Sequence, residues 1–572
     1  MTMNTSTPIP LPIPESLAGR VDQMFPTLTP AQVERVKSHG RVRKVANGDV
    51  LFRVGDRTIS FFVIVNGRVE IVREKSDSVE IGGSTSNDLI WTYGPGQFNG
   101  EINMISGRRA LGTGRVIESG EAIELNRDQL LALVQTDTEI GAIIMRAFIL
   151  RRMGLLENHV GDVVIMGSLR CGDTLRVKEF LSRNGHPYQY INLDQEDDVQ
   201  ALLDRFHVRE GDIPVVICRG EIVLRNPTNE EIADCLGFND AIDFDQVRDV
   251  IIVGAGPAGL AAAVYAGSEG LNVLVLETVG PGGQAGASSK IENYMGFPNG
   301  VSGRELSSRA FNQAQKFGAQ FAIAKGAVKL TCDHTAYGVR IGNGATLRAR
   351  TIIIATGAEY RRLPIENLQQ YDGLGIYYAA TFMESQICSG GELIVVGGGN
   401  SAGQAAAFLA EKACHVHLLV RSDGLAESMS RYLIRRIEES PRITLYPHTE
   451  LVGLEGTGHL ECVHWRDNRT GSVETRPIRH VFLMTGAAPS TGWLDGCVAL
   501  DDKGFVKTGP DLTPDDLVEA EWTAQRQPYL LETSRPGVFA VGDVRAGNIK
   551  RVASAVGEGS IAISMVHQAL RA

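Results

Sequence analysis

The sequence predicts an α/β protein of several domains with a β-rich domain near its N-terminal end. Two glycine-rich turns, at 254–259 and 397–402, each follow a short apolar strand and precede a helix, which is the order of a dinucleotide-binding βαβ unit. Between Val45 and Glu124, short alternating strands are separated by glycines, as in a β-roll or barrel. With 572 residues, the chain has room for about three or four domains.

Composition and charge narrow the classes of function. A net charge of −11 argues against a surface that follows nucleic-acid phosphates. No apolar run reaches membrane-spanning length, and no basic segment followed by an apolar one opens the chain, so we expect a cytoplasmic protein without membrane contact. The eight cysteines contain no C-x-x-C, which predicts neither a disulfide framework nor a metal site.

The N-terminal part is predicted to be a disordered tail over residues 1–15, followed by a domain over 16–158. The tail is rich in Thr, Ser and Pro. A helix is expected near Pro30 to Ser38, then the glycine-punctuated strands, including Val50 to Phe52, Phe61 to Val65 and Arg68 to Val72. Arg127 to Met153 has the apolar spacing of helices.

This β-rich segment resembles a cyclic nucleotide-binding domain, through Gly55-Asp56, Val65-Asn66-Gly67, Phe98 to Glu101 and Arg109-Ala110. The resemblance implies that backbone N–H groups near Gly100 face a cyclic phosphate, that Arg109 pairs with its charge, and that Glu101 accepts a ribose 2′-hydroxyl. Asn99 interrupts the family's Phe-Gly-Glu. A barrel that binds no nucleotide, or that serves only dimerisation, therefore remains the alternative.

Residues 161–238 alternate strand and helix and resemble a glutaredoxin, with a thioredoxin-like fold. Cys171 stands at the position of that family's nucleophilic cysteine, Thr174 replaces the second one, and Ile213-Pro214 matches its cis-proline. A thiol at a helix N-terminus beside Arg170 should be a ready thiolate nucleophile. Cysteine is equally common in packed cores and the neighbouring Asp173 opposes a thiolate, so a packing role for Cys171 stays open. We expect Cys218, in an apolar strand, to be buried.

The first glycine turn is Gly254-Ala255-Gly256-Pro257-Ala258-Gly259, the Rossmann fingerprint G-x-G-x-x-G in its strand–turn–helix context. Gly254 permits the tight turn, Gly256 lets a pyrophosphate approach the backbone, and Gly259 lets the helix pack on the strand. Glu277 ends the next strand, where a ribose hydroxyl is held. These features predict a dinucleotide at this turn.

A second βαβ unit follows, with the turn Gly397-Gly398-Gly399-Asn400-Ser401-Ala402. Further turns stand at Ala355 to Ala358, Met484 to Ala487 and Gly537 to Asp543. In this order, the motifs of residues 249–572 resemble the low-molecular-weight thioredoxin reductases. The resemblance implies a Rossmann-like FAD domain, split into 245–365 and 488–572, around a Rossmann-like NAD(P) domain at 366–487.

The resemblance also implies cofactor contacts. Those to FAD would come from Gly254, Gly256, Pro257, Ala258, Gly259, Glu277, Gly283, Gln284, Asn293, Ala355, Thr356, Gly357, Gly542, Asp543, Arg551, Val552 and Ala553. Those to NADP would come from Gly397, Gly399, Asn400, Ser401, Ala402 and Arg421. Arg421 stands where an acid would pair with the NAD ribose, which favours NADPH over NADH. An ordinary solvated arginine is the alternative.

One departure from the family concerns its redox thiols. The family's Cys-Ala-Thr-Cys precedes the second fingerprint, and the corresponding stretch here runs from Gly375 to Met383, with Ala379 and Phe382 at the cysteine positions. Neither residue can form a disulfide or a thiolate. Cys388 lies beyond this stretch and is expected to be structural.

The predicted function is that of a flavoprotein oxidoreductase, a homodimer, that passes a hydride from NADPH to FAD and on to an unidentified small-molecule or protein acceptor. A cyclic nucleotide bound near Gly100 would regulate it. Two alternatives remain open: a non-catalytic sensor that acts through a partner, and a disulfide reductase that works through Cys171. The flavin would supply the redox chemistry.

Overall fold

The computed structural model describes residues 9–73, 88–169, 171–194, 210–219, 222–288, 290–332, 337–378, 380, 382–426, 429–494 and 496–571. Six sheets form within this part of the chain. The helix predicted at Val199 to Phe206, Arg170, and the residues Ala379 and Thr381 of the stretch that lacks the family's thiols lie outside the described residues.

The N-terminal sheet has the strand order β1-β5-β4-β6-β2, with β3 on β6. Its strands are β1 (Ile9–Pro10), β2 (Arg41–Val45), β3 (Val50–Phe52), β4 (Phe61–Arg73), β5 (Asp88–Tyr93) and β6 (Thr113–Leu125). The two strands expected around Asn66-Gly67 are one long strand, because β4 continues against β6 through register shifts at Asn66 instead of turning back. The shifts place the polar Asn66 and Gly67 where pairing is irregular, without ending it.

The predicted disordered tail is wrong for its last residues. Ile9 and Pro10 pair in parallel with Asp88 and Leu89, and the Leu11 N–H donates to the Leu89 carbonyl at 2.9 Å. Pairing with a free strand edge satisfies the backbone of this proline-rich segment. Residues 1–8 are outside the described part of the chain.

Five helices accompany this sheet. They are α1 (Val21–Met24), α2 (Pro30–Lys37), α3 (Asn103–Ser106), α4 (Arg127–Thr136) and α5 (Thr138–Glu157). The helices α2 and α4 begin with capping boxes, made by Thr29 with Gln32 and by Asn126 with Gln129. Much of α5 is buried, including Ile144 and Phe148, and the helix carries two buried arginines into the domain.

The middle unit is a four-stranded sheet in the order β10-β9-β7-β8. Its strands are β7 (Val163–Gly167), β8 (Gln189–Asn192), β9 (Val215–Cys218) and β10 (Ile222–Arg225), and its helices are α6 (Gly172–Arg183) and α7 (Asn229–Leu236). The strand β7 is parallel to β8 and antiparallel to β9. Cys171 is the N-cap residue of α6, and the Ile213–Pro214 peptide bond is cis. The likeness to glutaredoxin remains a prediction.

A seven-stranded sheet with the path β13-β12-β11-β16-β15-β14, and β27 paired with β16, carries the first fingerprint. Its strands are β11 (Arg248–Val253), β12 (Val273–Glu277), β13 (Gln320–Ile323), β14 (Ala327–Thr331), β15 (Tyr337–Ile341), β16 (Thr346–Ile354) and β27 (Val538–Ala540). Its helices are α8 (Pro257–Ser268), α9 (Gly283–Gly286), α10 (Gly303–Lys316), α14 (Pro514–Glu519) and α15 (Val552–Arg571). The apolar strand β11 lies between parallel neighbours, β12 and β16, and is buried on both faces.

The second fingerprint belongs to a five-stranded parallel sheet in the order β18-β25-β19-β20-β21. These strands are β18 (Ile376–Tyr377), β19 (Glu392–Val396), β20 (His415–Leu419), β21 (Ile443–Tyr446) and β25 (Val481–Leu483), with helices α11 (Phe382–Ile387), α12 (Asn400–Leu409) and α13 (Arg431–Glu438). A three-stranded antiparallel sheet accompanies them, formed by β22 (Thr449–Glu455), β23 (Cys462–Asp467) and β24 (Val473–Arg476).

The two fingerprint units have the same local construction. The Gly254 N–H donates to the Leu276 carbonyl at 2.9 Å, and the Gly397 N–H donates to the Leu419 carbonyl at 3.0 Å. In each case the bond joins the glycine turn to the end of the neighbouring parallel strand. Each turn therefore lies at the carboxyl edge of its sheet, where dinucleotides bind in such folds.

Two extended segments connect the fingerprint units and pair with each other. Strand β17 (Ala358–Tyr360) is antiparallel to β26 (Ala487–Pro489), and the Arg361 N–H donates to the Gly486 carbonyl at 2.8 Å. The domain boundaries themselves remain a prediction.

The scattered cysteines predict no disulfide framework, yet two of them form a disulfide. Cys332 and Cys497, which are 165 residues apart in the sequence, form one, with their Cα atoms 6.4 Å apart. Scattered cysteines carry no signal for such a pair, because the fold brings them together. Cys218 is fully buried, and Cys388 is 2% exposed, with its pKa raised to about 12 by burial and by Glu384. Among the described helices, none is long and apolar enough to cross a membrane.

Candidate active site

Both glycine turns line one cavity of about 1870 Å³. Ligand pockets commonly occupy about 300–1,000 Å³, so this cavity has room for more than one cofactor. It takes walls from both fingerprint units, from the middle unit and from the N-terminal domain, including helix α5. Of the residues predicted to contact FAD, those that line it are Gly254, Gly256, Pro257, Ala258, Glu277, Gly283, Gln284, Asn293, Ala355, Thr356, Gly357, Gly542, Asp543, Arg551 and Val552.

The glycines of the first turn meet different requirements. Gly254 has φ of 107°, and a Cβ there would clash with the Ala355 carbonyl. A Cβ on Gly259 would collide with the Gly254 carbonyl, so this glycine allows helix α8 to pack on the turn without itself lining the cavity. A Cβ on Gly256 would meet no protein atom within 4 Å, and this residue lines the cavity. The backbone at Gly256 therefore leaves open space, a floor of the cavity on which a ligand can lie.

Helix α8 begins at this floor with no side chain capping its N-terminus in the described structure. The first N–H groups of a helix lack intrahelical partners and carry a partial positive charge. Pro257 at the first helical position lacks an N–H, so the groups that remain belong to the residues after it. An uncapped N-terminus beside an open glycine fits the pyrophosphate of a dinucleotide.

Glu277 lines the cavity and is 9% exposed. Its carboxylate accepts hydrogen bonds from the backbone N–H groups of Ala255 at 2.9 Å, Val279 at 2.9 Å and Gly280 at 3.2 Å. A carboxylate has about four acceptor positions, so one remains for a hydroxyl donor. The predicted ribose contact is compatible with this arrangement and remains a prediction.

Asp543 also lines this cavity, in the turn that follows β27. Burial raises the pKa of Asp543, Lys550 opposes the rise, and Glu558 adds to it. Glu558 fixes the turn by accepting from the Gly542 N–H at 2.7 Å. Sequence reasoning missed Glu558 and Lys550; the signal for Glu558 was a lone acid in the otherwise small and apolar start of helix α15. Ala553, predicted to contact FAD, is exposed and does not line the cavity, because the start of α15 turns it outward.

Residues of the segment around α9 line the same cavity. The Gln284 side-chain amide donates to the Ala358 carbonyl at the start of the connecting ribbon. Asn293 lines the cavity in a loop whose neighbour Glu292 makes an ion pair with Arg436 of helix α13, at 3.1 Å. These contacts link the first unit to the second.

The second fingerprint has the same division of roles between its glycines as the first. Gly397 has φ of 139°, and a Cβ there would clash with the Met484 carbonyl, whereas a Cβ on Gly399 would meet nothing within 4 Å. Asn400 and Ser401, at the start of α12, line the shared cavity, and the side-chain amide oxygen Oδ1 of Asn400 accepts from the Ser430 N–H at 2.7 Å. Of the other predicted NADP contacts, Gly397, Gly399 and Ala402 form the turn behind this wall.

Arg421 follows strand β20 at the carboxyl edge of the second sheet, but it is exposed and does not line the shared cavity. The described part of the chain shows no ion pair for Arg421. Its guanidinium is therefore available to a ligand that extends past the turn. The predicted contact with a 2′-phosphate stays a prediction.

Cys171 lies at the junction of three units. It is half-buried, and the two residues after it, Gly172 and Asp173, line the shared cavity. A Cβ on Gly172 would lie 3.6 Å from the Asp372 carbonyl oxygen, an ordinary contact distance, so the turn at Cys171 lies beside the loop that contains Asp372. Asp173 is held away by Arg176, at 3.1 Å. Cys171 itself does not line the cavity, although the two residues that follow it do.

The residues predicted to hold a cyclic nucleotide are not brought together. Gly100 and Glu101 line a second, smaller cavity inside the N-terminal barrel, but Glu101 pairs with Arg152 at 2.7 Å. Arg109 does not line that cavity; it forms an ion pair with Asp240 at 2.8 Å, outside the barrel. In this arrangement Arg109 pairs with a carboxylate of a neighbouring segment instead of lining the cavity, and its predicted contact with a cyclic phosphate stays a prediction.

The fold and this cavity define a class: two dinucleotide-binding units that face each other across one cavity, as in flavoprotein oxidoreductases that use a nicotinamide. The chain belongs to the pyridine nucleotide-disulphide oxidoreductase family, whose model matches residues 248–559. It is an FAD- and NAD(P)H-dependent oxidoreductase. Residues 42–137 match the model of the cyclic nucleotide-binding domain.

Similar proteins agree with this assignment. The thioredoxin reductase of Bacillus subtilis is 32% identical over 322 residues, covering 56% of this chain and 94% of that protein. The thioredoxin reductase of Listeria monocytogenes is 31% identical, covering 56% of this chain and 92% of that protein. Among solved structures, Lactococcus lactis thioredoxin reductase in its FR conformation has a TM-score of 0.50 and 26% identity, covering 56% of this chain and 99% of that chain. The T. acidophilum thioredoxin reductase has a TM-score of 0.50 and 27% identity over the same shares.

The residues present fit FAD at the first turn. The open floor at Gly256, the uncapped start of α8 and the half-buried Asp543 supply, in turn, space, N–H donors and an acceptor. The second turn offers the same open glycine, Gly399, and an uncapped helix start at Asn400. The match of both turns to dinucleotide chemistry therefore rests on geometry as well as on sequence.

Proposed function

We propose that this chain moves a hydride from NADPH to FAD and delivers the electrons to an acceptor other than the one reached through the family's usual dithiol. The observation that carries the proposal is the shared cavity: Gly256 of the first turn and Asn400 of the second line the same space. Hydride transfer requires the two reacting rings to be in contact, so one common cavity is the arrangement that it needs.

When bound, FAD accepts a hydride from the nicotinamide and releases the electrons to an acceptor. The chain's own residues bind and orient. The N–H groups after Pro257 would hold the pyrophosphate, and Glu277 would offer its remaining acceptor position to a ribose hydroxyl. Asp543 would accept from the ribitol side, and Gln284, whose side-chain amide donates to the Ala358 carbonyl, lines the same cavity.

We infer that NADPH is the preferred nicotinamide. Arg421 is exposed at the carboxyl edge of the second sheet, and a 2′-phosphate there would form a charge-assisted contact. NADH lacks this phosphate and would lose the contact. The preference thus rests on one side chain.

The acceptor is not reached through an adjacent dithiol, because the sequence contains no C-x-x-C. Ala379 and Phe382 take the positions at which the resemblance places the cysteines. We therefore expect no thioredoxin reduction by the family's usual route. The acceptor is a small molecule or protein that reaches the cavity directly, or a disulfide that reaches Cys171.

The second of these outlets, a disulfide reductase, is favoured by the position of Cys171. Its neighbours Gly172 and Asp173 line the cavity that holds both fingerprints. The Cys171 thiolate would attack one sulfur of an acceptor disulfide, forming a mixed disulfide and releasing the other sulfur as a thiol after protonation. Two electrons that NADPH supplies through the flavin would then cleave the mixed disulfide, restoring the Cys171 thiolate and releasing the second sulfur as a thiol after protonation. Over the whole cycle, one disulfide, one NADPH and one proton become two thiols and NADP⁺.

Two measurements test these proposals separately. Anaerobic addition of NADPH to the flavin-loaded protein should bleach the flavin absorbance, and a flavin that stays oxidised would contradict hydride transfer and favour the sensor. Oxidation of NADPH by a low-molecular-weight disulfide should be lost in Cys171→Ser and retained in Cys414→Ser, which removes an exposed thiol elsewhere. Loss of disulfide turnover with intact flavin bleaching assigns the outlet to Cys171; unchanged turnover in Cys171→Ser excludes it.

A further inference from the structure

A second cavity, of about 90 Å³, lies inside the N-terminal barrel. Its walls are mostly apolar and come from the barrel strands, helix α5 and the N-terminal segment. Phe25 of that segment stacks on Trp91 of β5, with ring centroids 3.7 Å apart and planes within 4°. The cavity is therefore covered by the chain's own N-terminal residues.

Two charged side chains line this mostly apolar space, Arg151 and Glu101. Arg151 of helix α5 lines the cavity and is 5% exposed. Its Nε donates to the Met24 carbonyl and its Nη1 to the Gly100 carbonyl, both at 2.8 Å. Its Nη2 has no hydrogen-bond partner among the residues that the structure describes. The two carbonyls orient the guanidinium but bring no negative charge.

Aromatic rings hold the guanidinium in place. Its central carbon lies 5.3 Å from the centroid of Phe25, 5.0 Å from Tyr93 and 4.9 Å from Phe98. Such contacts favour a cation, yet they do not replace a counter-ion in a desolvated site. Arg151 is thus preorganised, with its Nη2 left without a hydrogen-bond partner among the described residues.

The charges around it leave positive charge uncompensated. Arg108 and Arg152 are each 7% exposed, so three arginines are buried in this region. Glu101 is the carboxylate beside them, and it pairs with Arg152 at 2.7 Å. Burial lowers the pKa of Arg151, although Tyr93 and Glu101 oppose the shift. A buried cation without a paired anion is costly, which makes this a site where an anion would be stabilised.

We propose that the barrel cavity binds a short-chain monocarboxylate, with its carboxylate on Nη2 of Arg151 and its alkyl body against Phe25 and Trp91. The size follows from the volume. A dry cavity of about 150 Å³ accommodates benzene, so 90 Å³ suits a carboxylate of about three or four carbons. The ligand's single negative charge matches the unpartnered Nη2 of Arg151, and its small apolar body matches the apolar wall of the cavity.

A cyclic nucleotide does not fit this arrangement. It needs a partner for its phosphate where Arg109 was predicted, and Arg109 is paired with Asp240 outside the cavity. The cavity volume of about 90 Å³ is also small for a nucleotide, since ligand pockets commonly occupy about 300–1,000 Å³. Nucleotide binding is therefore an alternative outcome of the same test.

The test is a calorimetric titration of the full-length protein with butyrate and with its neutral isostere, butyramide. Butyrate should bind, and butyramide should bind at least about tenfold more weakly, because a charge-assisted hydrogen bond is lost.

Arg151→Met should weaken butyrate binding by at least about tenfold. Arg146→Met, which removes an exposed charge from the same helix, should not change it. Quenching of tryptophan fluorescence that is absent in Trp91→Phe would locate the ligand.

Several results would overturn the proposal. Equal affinity for butyrate and butyramide would remove the role of charge, and no detectable binding of butyrate would remove the site. Displacement of butyrate by cyclic AMP or cyclic GMP, with nucleotide binding lost in Arg109→Ala, would return the barrel to nucleotide recognition. Because Arg151→Met removes a buried side chain that could be needed for folding, the acid and amide comparison on the unmodified protein decides the question independently.

Discussion

Arg436 of helix α13 and Glu292 of the flavin-side loop form a two-point ion pair, with N–O distances of 3.1 and 3.3 Å. Burial opposes ionisation of Glu292, but hydrogen bonds from Arg436 and Lys290 hold the pKa of this carboxyl below its usual value. The pair joins the two fingerprint units in the orientation in which both turns share one cavity. It thereby stabilises the arrangement that hydride transfer needs.

Removing this contact should slow flavin reduction. Arg436 is about half-exposed, and partly exposed ion pairs contribute about 0.2–1 kcal/mol, so Arg436→Ala should slow NADPH-driven bleaching by up to about fivefold in rapid-mixing experiments at low salt. High salt should reduce the difference from the unmodified protein. Arg435→Ala, which breaks only a pair with Glu439 within the helix, is the control. Equal rates in the two variants would show that the ion pair does not set the orientation.

The open glycines predict separable cofactor defects. An alanine at Gly256 meets no protein atom within 4 Å, so Gly256→Ala should fold but should lose FAD affinity by at least about tenfold, because its methyl group occupies the space of the pyrophosphate. Gly399→Ala should keep FAD and raise the Kd for NADPH instead. Flavin content of the purified variants and titration with NADPH measure the two effects. Normal flavin content in Gly256→Ala would contradict the assignment of the first turn.

Arg421 should determine the choice of nicotinamide. The unmodified protein should be reduced faster by NADPH than by NADH at equal subsaturating concentrations, and Arg421→Ala should narrow this gap by about tenfold or more, because a charge-assisted contact of about 1.5–3 kcal/mol is lost. Arg479→Ala, an exposed arginine of the same unit outside the proposed site, should leave the ratio unchanged. If NADPH and NADH reduce the unmodified protein equally, the argument from Arg421 fails.

Asp543 should cost stability when FAD is absent. Its folded pKa is raised by burial, so its contribution to stability is greatest at low pH and is lost as the pH rises through that raised value. In flavin-free protein, Asp543→Asn should therefore raise the unfolding temperature at pH 7, and the gain should shrink as the pH falls toward about 3.9. Asp502→Asn, at an exposed site, is the control. If the rise in unfolding temperature caused by Asp543→Asn grew toward acid pH, the pKa of Asp543 would not be raised in the folded protein, and the prediction would be wrong.

Local signals predicted the two fingerprint units well. A glycine such as Gly254 is required by its own turn, and the strands around it are apolar over their whole length, so short windows of sequence contain the information. The class of the chain follows from these units. The barrel strands were also visible, although the pairing of β4 through Asn66 depends on β6, which is distant in sequence.

Long-range pairings were not visible in the sequence. Arg109 has the residue type and position of a phosphate ligand, but Asp240, which follows the middle unit, neutralises it. Glu558 and Gly542, and Cys332 and Cys497, likewise meet only in the folded chain. Site residues that depend on one turn can thus be predicted, whereas those that depend on a partner from another unit cannot.

The most direct test of hydride transfer is rapid mixing of the flavin-loaded protein with NADPH under anaerobic conditions, using NADPH that carries deuterium or hydrogen on the transferred position. Single-turnover bleaching of the flavin should follow, and it should be slower with the deuterated cofactor, because the transferred atom crosses directly between rings held in one cavity. A flavin that remains oxidised at saturating NADPH, although both cofactors are bound, would contradict the account.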